Sequence, residues 1–146
     1  MSDHGHHEQS FISKYVFSID HKWIGIQYAV TSLFFLLFGF GLMMIMRYQL
    51  ANPGAPIPLI GGLLAGGTFF ADNGSLGAEG YNMFGAMHGT IMIFLGVVPL
   101  AVGGFGNFVV PLQVGAPDMA FPKLNMMSYW VYFIGGVVML FSLPVA

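Results

Sequence analysis

The sequence contains no cysteine, which excludes disulfide frameworks, thiolate metal sites, iron–sulfur clusters and cysteine nucleophiles. Charge is nearly as scarce. Asp, Glu, Lys and Arg make up 7% of the 146 residues, against about a quarter in an ordinary soluble domain, so a soluble globule is excluded. The net charge of −2 offers no basic surface to a nucleic acid. What is present is apolar: 56% hydrophobic residues, 16% aromatics, 21 glycines and 11 methionines, with a mean hydropathy of +0.76. That composition is expected of an all-α integral membrane protein whose main solvent is the bilayer.

Four windows lack Asp, Glu, Lys and Arg: Trp23 to Met46, Tyr48 to Ala71, Gly80 to Pro117, and Leu124 to Ala146. The first predicts a transmembrane helix over about 24–47, which at 1.5 Å per residue reaches roughly 35 Å and crosses a hydrocarbon core of about 30 Å. The second carries Pro53, Pro56 and Pro58 among several glycines, so its backbone would go unsatisfied in lipid. It reads as a Gly/Pro-rich outer loop over 51–80, partly folded back on the membrane surface. A second helix is predicted over 82–110, interrupted by Pro99, a kink that is tolerated where a neighbouring helix covers the freed carbonyl. A third is predicted over 128–146, opened by Tyr129, Trp130 and Tyr132, residues suited to a water–lipid boundary. Residues 1–22 form an amino-terminal segment ahead of this 23–146 membrane domain. Lys14, Lys22 and Lys123 fall on one side and only Arg47 on the other, which predicts a cytoplasmic amino terminus. Neither a basic n-region with a cleavage site nor a lipidation motif is present, so the first helix is expected to be an uncleaved span.

Polar residues inside an apolar span are candidates for function. His88 is the one histidine within a predicted span, and it reads either as a cofactor ligand or as a neutral imidazole hydrogen-bonded between helices. Gly85, Gly89, Gly96 and Gly103 share its helix face, leaving room for a broad flat group or for a closely packed helix. Arg47 ends the first span at a depth similar to that of His88. It could donate to a carbonyl or propionate of the same cofactor, or simply snorkel to the interface. On the inner side, Asn107, Asp118 and Asn125 surround a short connection. A carboxylate at the mouth with amides behind it can gather protons and hold water, although loop Asp and Asn also serve as turn and cap residues. His4, His6 and His7 read as a solvated tail rather than a metal site, and Asn73-Gly74-Ser75 matches a glycosylation acceptor.

Five segments carry a resemblance: Asp20-His-Lys-Trp-Ile-Gly25, Arg47-Tyr-Gln-Leu-Ala-Asn-Pro-Gly54, His88-Gly-Thr-Ile-Met-Ile-Phe94, Gly103-Gly-Phe-Gly-Asn-Phe-Val-Val-Pro-Leu112 and Gly115-Ala-Pro-Asp-Met-Ala-Phe-Pro122. In this order they resemble the haem–copper oxygen reductases, specifically the catalytic subunit I of cytochrome c oxidase, over nearly everything from about Val16 onward. The stretch Ala55 to Gly80 has no match. The resemblance implies the leading part of a twelve-helix bundle in a bacterial plasma membrane, acting with the remainder of subunit I and other oxidase subunits. It implies that His88 is an axial ligand of a low-spin haem of the A type, and that Arg47 hydrogen-bonds a substituent of that haem. It further implies that Asp118 is the entrance of the D proton pathway, with Asn107, Asn125 and Tyr28 ordering its water. The high-spin haem, the copper and their ligands would lie beyond Ala146, so oxygen reduction and proton pumping belong to the complete subunit.

Two departures bear on the detail. Gln49 stands where many relatives have a glutamate of a calcium or sodium site, which weakens that site. The positions matching the quinol site of ubiquinol-oxidising relatives are Phe38, Leu42, Gly80 and Met83, so cytochrome c is the expected electron donor. The competing readings are a ubiquinol-oxidising relative and a non-catalytic anchor, assembly subunit or truncated remnant that holds no cofactor.

Overall fold

The computed structural model describes residues 11–12, 16–17, 20–117 and 120–143. Helix α1 is His21–Ala51, α2 is the short Gly61–Leu64, α3 is Ala78–Val114 and α4 is Pro122–Ser142. Among the described residues three of these, α1, α3 and α4, are long and apolar enough to cross a membrane.

Each long helix extends past its apolar window because local chemistry sets its ends. Asp20 caps α1, its carboxylate accepting the Lys22 N–H at 3.1 Å, and the helix stops at Asn52, one residue before Pro53. Helix α4 starts with Pro122 in its first turn, where a missing N–H costs nothing, six residues ahead of the predicted Ser128. The tyrosines expected at the water–lipid boundary are consequently inside the bundle, with Tyr129 6% exposed. Helix α3 closes on Gly115 at φ 78°, a left-handed position that favours glycine.

The buried residues of α1 include His21, Gly25, Tyr28, Ser32, Phe35, Gly39, Leu42 and Met46, a stripe that advances by alternating steps of four and three. Small and polar members of this stripe let α3 and α4 come close. Leu36 and Tyr28 of α1 fill the spaces over Gly96 and Gly103 of α3, where an added Cβ would stand 2.5 Å from each side chain. Met92 fills the space over Gly39. These pairings run antiparallel. Helix α4 is tied to α1 through hydroxyls: Tyr28 to Ser128 at 2.9 Å, Thr31 to Tyr129 at 2.8 Å and Ser32 to Tyr132 at 3.4 Å. The paired numbers rise together, so α4 runs parallel to α1.

Within α3 the backbone changes pitch. Ala78–Thr90 and Asn107–Val114 are α-helical, while Ile91–Val97 and Pro99–Gly106 form wide π turns. In the wide-turn stretch the Leu95 carbonyl accepts the Tyr132 hydroxyl at 2.6 Å. In the α-helical stretch a proline deprives a carbonyl of its usual donor, and a side chain from another element supplies one. Pro111 cannot donate to Asn107, whose carbonyl accepts from His21 Nδ1 at 2.9 Å.

The Gly/Pro-rich loop between α1 and α3 folds back as a cap. Ile57, Phe70 and Leu76 are buried in one cluster with Phe84, Met87 and Leu42, and an antiparallel bridge pairs Phe70 with Leu76. The Asn73 side chain works within this cap, donating to the Gly54 carbonyl at 3.2 Å and accepting the Ser75 N–H and hydroxyl at 3.0 and 2.6 Å.

Candidate functional site

The half of the bundle at the carboxyl end of α1 holds His88, which projects from the last α-helical turn of α3 before the pitch widens. It is half-buried, and its Nδ1 lies 2.7 Å from the Gly39 carbonyl of α1. A carbonyl only accepts, so Nδ1 is the donor, and in the neutral tautomer that makes this bond Nε2 is the nitrogen with the unshared pair. The glycine face around His88 divides. Gly96 and Gly103 receive α1 side chains, whereas Gly89, next to the imidazole, has open space where a Cβ would stand. Helix packing and an open approach therefore share one face.

Arg47 is exposed near the end of α1. Met46 lies over Gly85, the nearest approach to that glycine at 3.8 Å from an added Cβ, so Arg47 lies roughly one helical turn outward of His88. Among the described residues Arg47 forms no hydrogen bond or ion pair. Gln49 is engaged locally, with Oε1 accepting the Leu76 N–H at 2.8 Å and Nε2 donating to the Asn52 carbonyl at 3.1 Å.

Toward the amino-terminal end of α1, Tyr28, Asn107 and Asn125 come together, lining one cavity of about 550 Å³ with Ser128 and Tyr132. They arrive from three different helices. The Ser128 hydroxyl donates to the Asn125 carbonyl at 2.6 Å, so its oxygen accepts from the Tyr28 hydroxyl at 2.9 Å. Tyr28 also stacks on Tyr132 with ring centroids 5.3 Å apart. Asn107 is 7% exposed, and its Nδ2 donates to the Gly103 carbonyl at 2.6 Å, which leaves Oδ1 as its remaining acceptor. Nδ2 of Asn125 is buried without a hydrogen-bond partner among the described residues. The hydroxyls and amides on the edge of this otherwise largely apolar cavity are groups able to bind ordered water. Asp118 lies outside the described residues, as do His4, His6, His7 and Lys14.

Three residues of this region were not singled out by sequence. His21 stands outside the apolar window, Ser128 is an ordinary helix residue by pattern, and Tyr132 resembles an interfacial aromatic. The available signal for His21 was its place at the head of the four-and-three stripe on α1.

Comparison with known proteins adds the lineage of these features. The family model for cytochrome c and quinol oxidase polypeptide I matches residues 23–145. The chain is 46% identical over 129 residues to cytochrome c oxidase subunit 1 of Thermostichus vulcanus, an alignment covering 88% of this chain and 20% of that protein. It is 42% identical over 135 residues to the alternative cytochrome c oxidase subunit 1 of Bradyrhizobium diazoefficiens, covering 92% and 20%. With cytochrome c oxidase subunit 1 of Synechocystis sp. it shares 37% identity over 137 residues, covering 94% and 21%. The chain thus spans about a fifth of the length of these relatives. A match across nearly all of the chain shows that it belongs to the cytochrome c and quinol oxidase polypeptide I family, as an amino-terminal portion.

Proposed function

We propose that the chain is the amino-terminal part of the catalytic subunit of a terminal respiratory oxidase, in which it supplies one axial ligand of a low-spin haem and the first section of a proton pathway. The observation that carries the reading is the His88 imidazole, fixed by its Nδ1–H on the Gly39 carbonyl at 2.7 Å. That arrangement sets the tautomer, aims the ring and leaves Nε2 free to bind iron. A haem of the A type held there supplies one-electron transfer at its iron. Gly89 leaves the imidazole flank open for the flat macrocycle, and Arg47, a turn outward and without a partner among the described residues, donates to a haem substituent.

Proton uptake begins at Asp118 on the cytoplasmic side and continues through water held by Asn107, Asn125 and Tyr28. Their convergence on one cavity supports this. Electrons come from cytochrome c rather than a quinol. Phe38, Leu42 and Met83 belong to an apolar core cluster, and Gly80 is pressed against the Phe69 backbone, so these positions offer no polar quinol site. The high-spin haem and copper are liganded by the rest of the subunit, in a bacterial plasma membrane with the amino terminus cytoplasmic.

The test is His88→Leu in the complete, assembled oxidase. The expected result is loss of the low-spin haem band from the reduced-minus-oxidised spectrum, and an unchanged band would remove His88 from the ligand set.

A further inference from the structure

We infer that His21 is a positioning residue for the proton pathway, holding Asn107 in place through the backbone carbonyl that Pro111 leaves without its helical donor. This rests on the reading of Asn107 as a water-ordering residue.

Asn107 sits where the wide turns of Pro99–Gly106 give way to the α-helix Asn107–Val114. A junction between two pitches is a place where the chain can slip from one register to another. Three of the four polar groups of Asn107 are committed there. Its N–H bonds the Gly104 carbonyl, its Nδ2 bonds the Gly103 carbonyl at 2.6 Å, and its own carbonyl accepts from His21 at 2.9 Å. The first two bonds are local to α3 and would move with it. The His21 bond alone reaches from Asn107 to another helix, across 86 residues of sequence. It ties the junction to the start of α1.

The site is built to hold that bond. His21 is 2% exposed, and the ring lies one helical turn before Gly25, where α1 and α3 approach so closely that an added Cβ would stand 3.0 Å from the Gly104 carbonyl. Because the Asn107 carbonyl only accepts, Nδ1 of His21 is the donor. Pro111 has no N–H to give, so without His21 this carbonyl would be left buried with one donor fewer. The consequence reaches the cavity, because a fixed Asn107 backbone with a committed Nδ2 leaves Oδ1 as the acceptor that meets water.

This mechanism makes an unusual prediction, namely that removing the proline should compensate for removing the histidine. The experiment uses the complete oxidase in phospholipid vesicles and reads turnover, protons translocated per electron and the low-spin haem spectrum. His21→Leu keeps most of the bulk and loses the donor. It is expected to slow turnover and lose proton translocation while the haem band is retained. Adding Pro111→Ala to His21→Leu restores an N–H to the Asn107 carbonyl from within α3, and should recover translocation. His21→Asn, which keeps an N–H near the same reach, should behave like the parent. Normal translocation in His21→Leu would overturn the inference, and so would failure of the double variant to recover it. Should His21→Leu not assemble, the double variant decides: an assembled, translocating enzyme supports the inference, and a second failure overturns it. Asn107→Val separates the two levels. If that variant translocates normally, the pathway reading itself is wrong, whereas a defective Asn107→Val beside a normal His21→Leu removes only His21.

Discussion

One methyl group added at Gly103 is expected to damage the bundle, because its Cβ would stand 2.5 to 2.8 Å from three atoms of the Tyr28 ring. Overpacking of this kind costs about 1–3 kcal/mol. Gly103→Ala should therefore lower the thermal midpoint of the complete enzyme, whereas Gly41→Ala, with nothing within 4 Å of its added Cβ, should leave the midpoint unchanged or raise it. Equal effects from both would mean that α1 and α3 do not meet at Gly103. At this scale the sequence was legible wherever polarity contrasted with a membrane span. His88, Asn107 and Arg47 stood out for that reason, whereas Asn125 was picked out with the connection ahead of the third predicted helix. His21 did not, because it precedes the apolar window and only the folded chain brings its ring to a carbonyl 86 residues away. The division of the glycine face was equally hidden, since Gly89 and Gly96 look alike until α1 covers one of them.

At the scale of elements, the wide-turn segment of α3 depends on side chains it does not own. Tyr132→Phe keeps the ring stacked on Tyr28 and removes the donor to the Leu95 carbonyl. Interhelical hydrogen bonds in membranes are worth about 0.6 kcal/mol on average, so a small fall in thermal midpoint is expected. A midpoint equal to the parent's would show that this hydroxyl contributes nothing to holding the helices together. The sequence announced the spans because about twenty apolar residues have few other uses, and it announced the break at Pro99. The change of pitch was not readable, because π turns depend on which donors the neighbouring helices supply. The loop was read as irregular from its prolines and glycines, but its burial of Ile57, Phe70 and Leu76 depends on contacts with Phe84 and Leu42 that local pattern does not reveal.

Across the whole molecule the three spans expose large apolar side chains outward, among them Leu37, Phe94, Phe105 and Phe141, all more than 60% exposed. Lipid and the remaining four fifths of a family-length subunit would cover such surfaces. The two candidate regions lie toward opposite ends of the bundle, with His88 nearer the carboxyl end of α1 and the Tyr28, Asn107 and Asn125 cavity nearer its amino-terminal end. That separation suits an enzyme that takes electrons from one side and protons from the other. Asp118→Asn in the complete oxidase should slow steady-state turnover and abolish proton translocation with haem content retained, since an amide at the intake cannot release and regain a proton. Normal translocation by that variant in vesicles would refute the intake role. The overall reading is tested most directly by isolating, from native membranes, the polypeptide that an antibody to Met1–Ser10 captures, and recording its mass with its reduced-minus-oxidised spectrum. A species several times heavier than 15.8 kDa that carries a low-spin haem band is the predicted result. A haem-free species of 15.8 kDa would contradict it and favour a non-catalytic anchor or remnant.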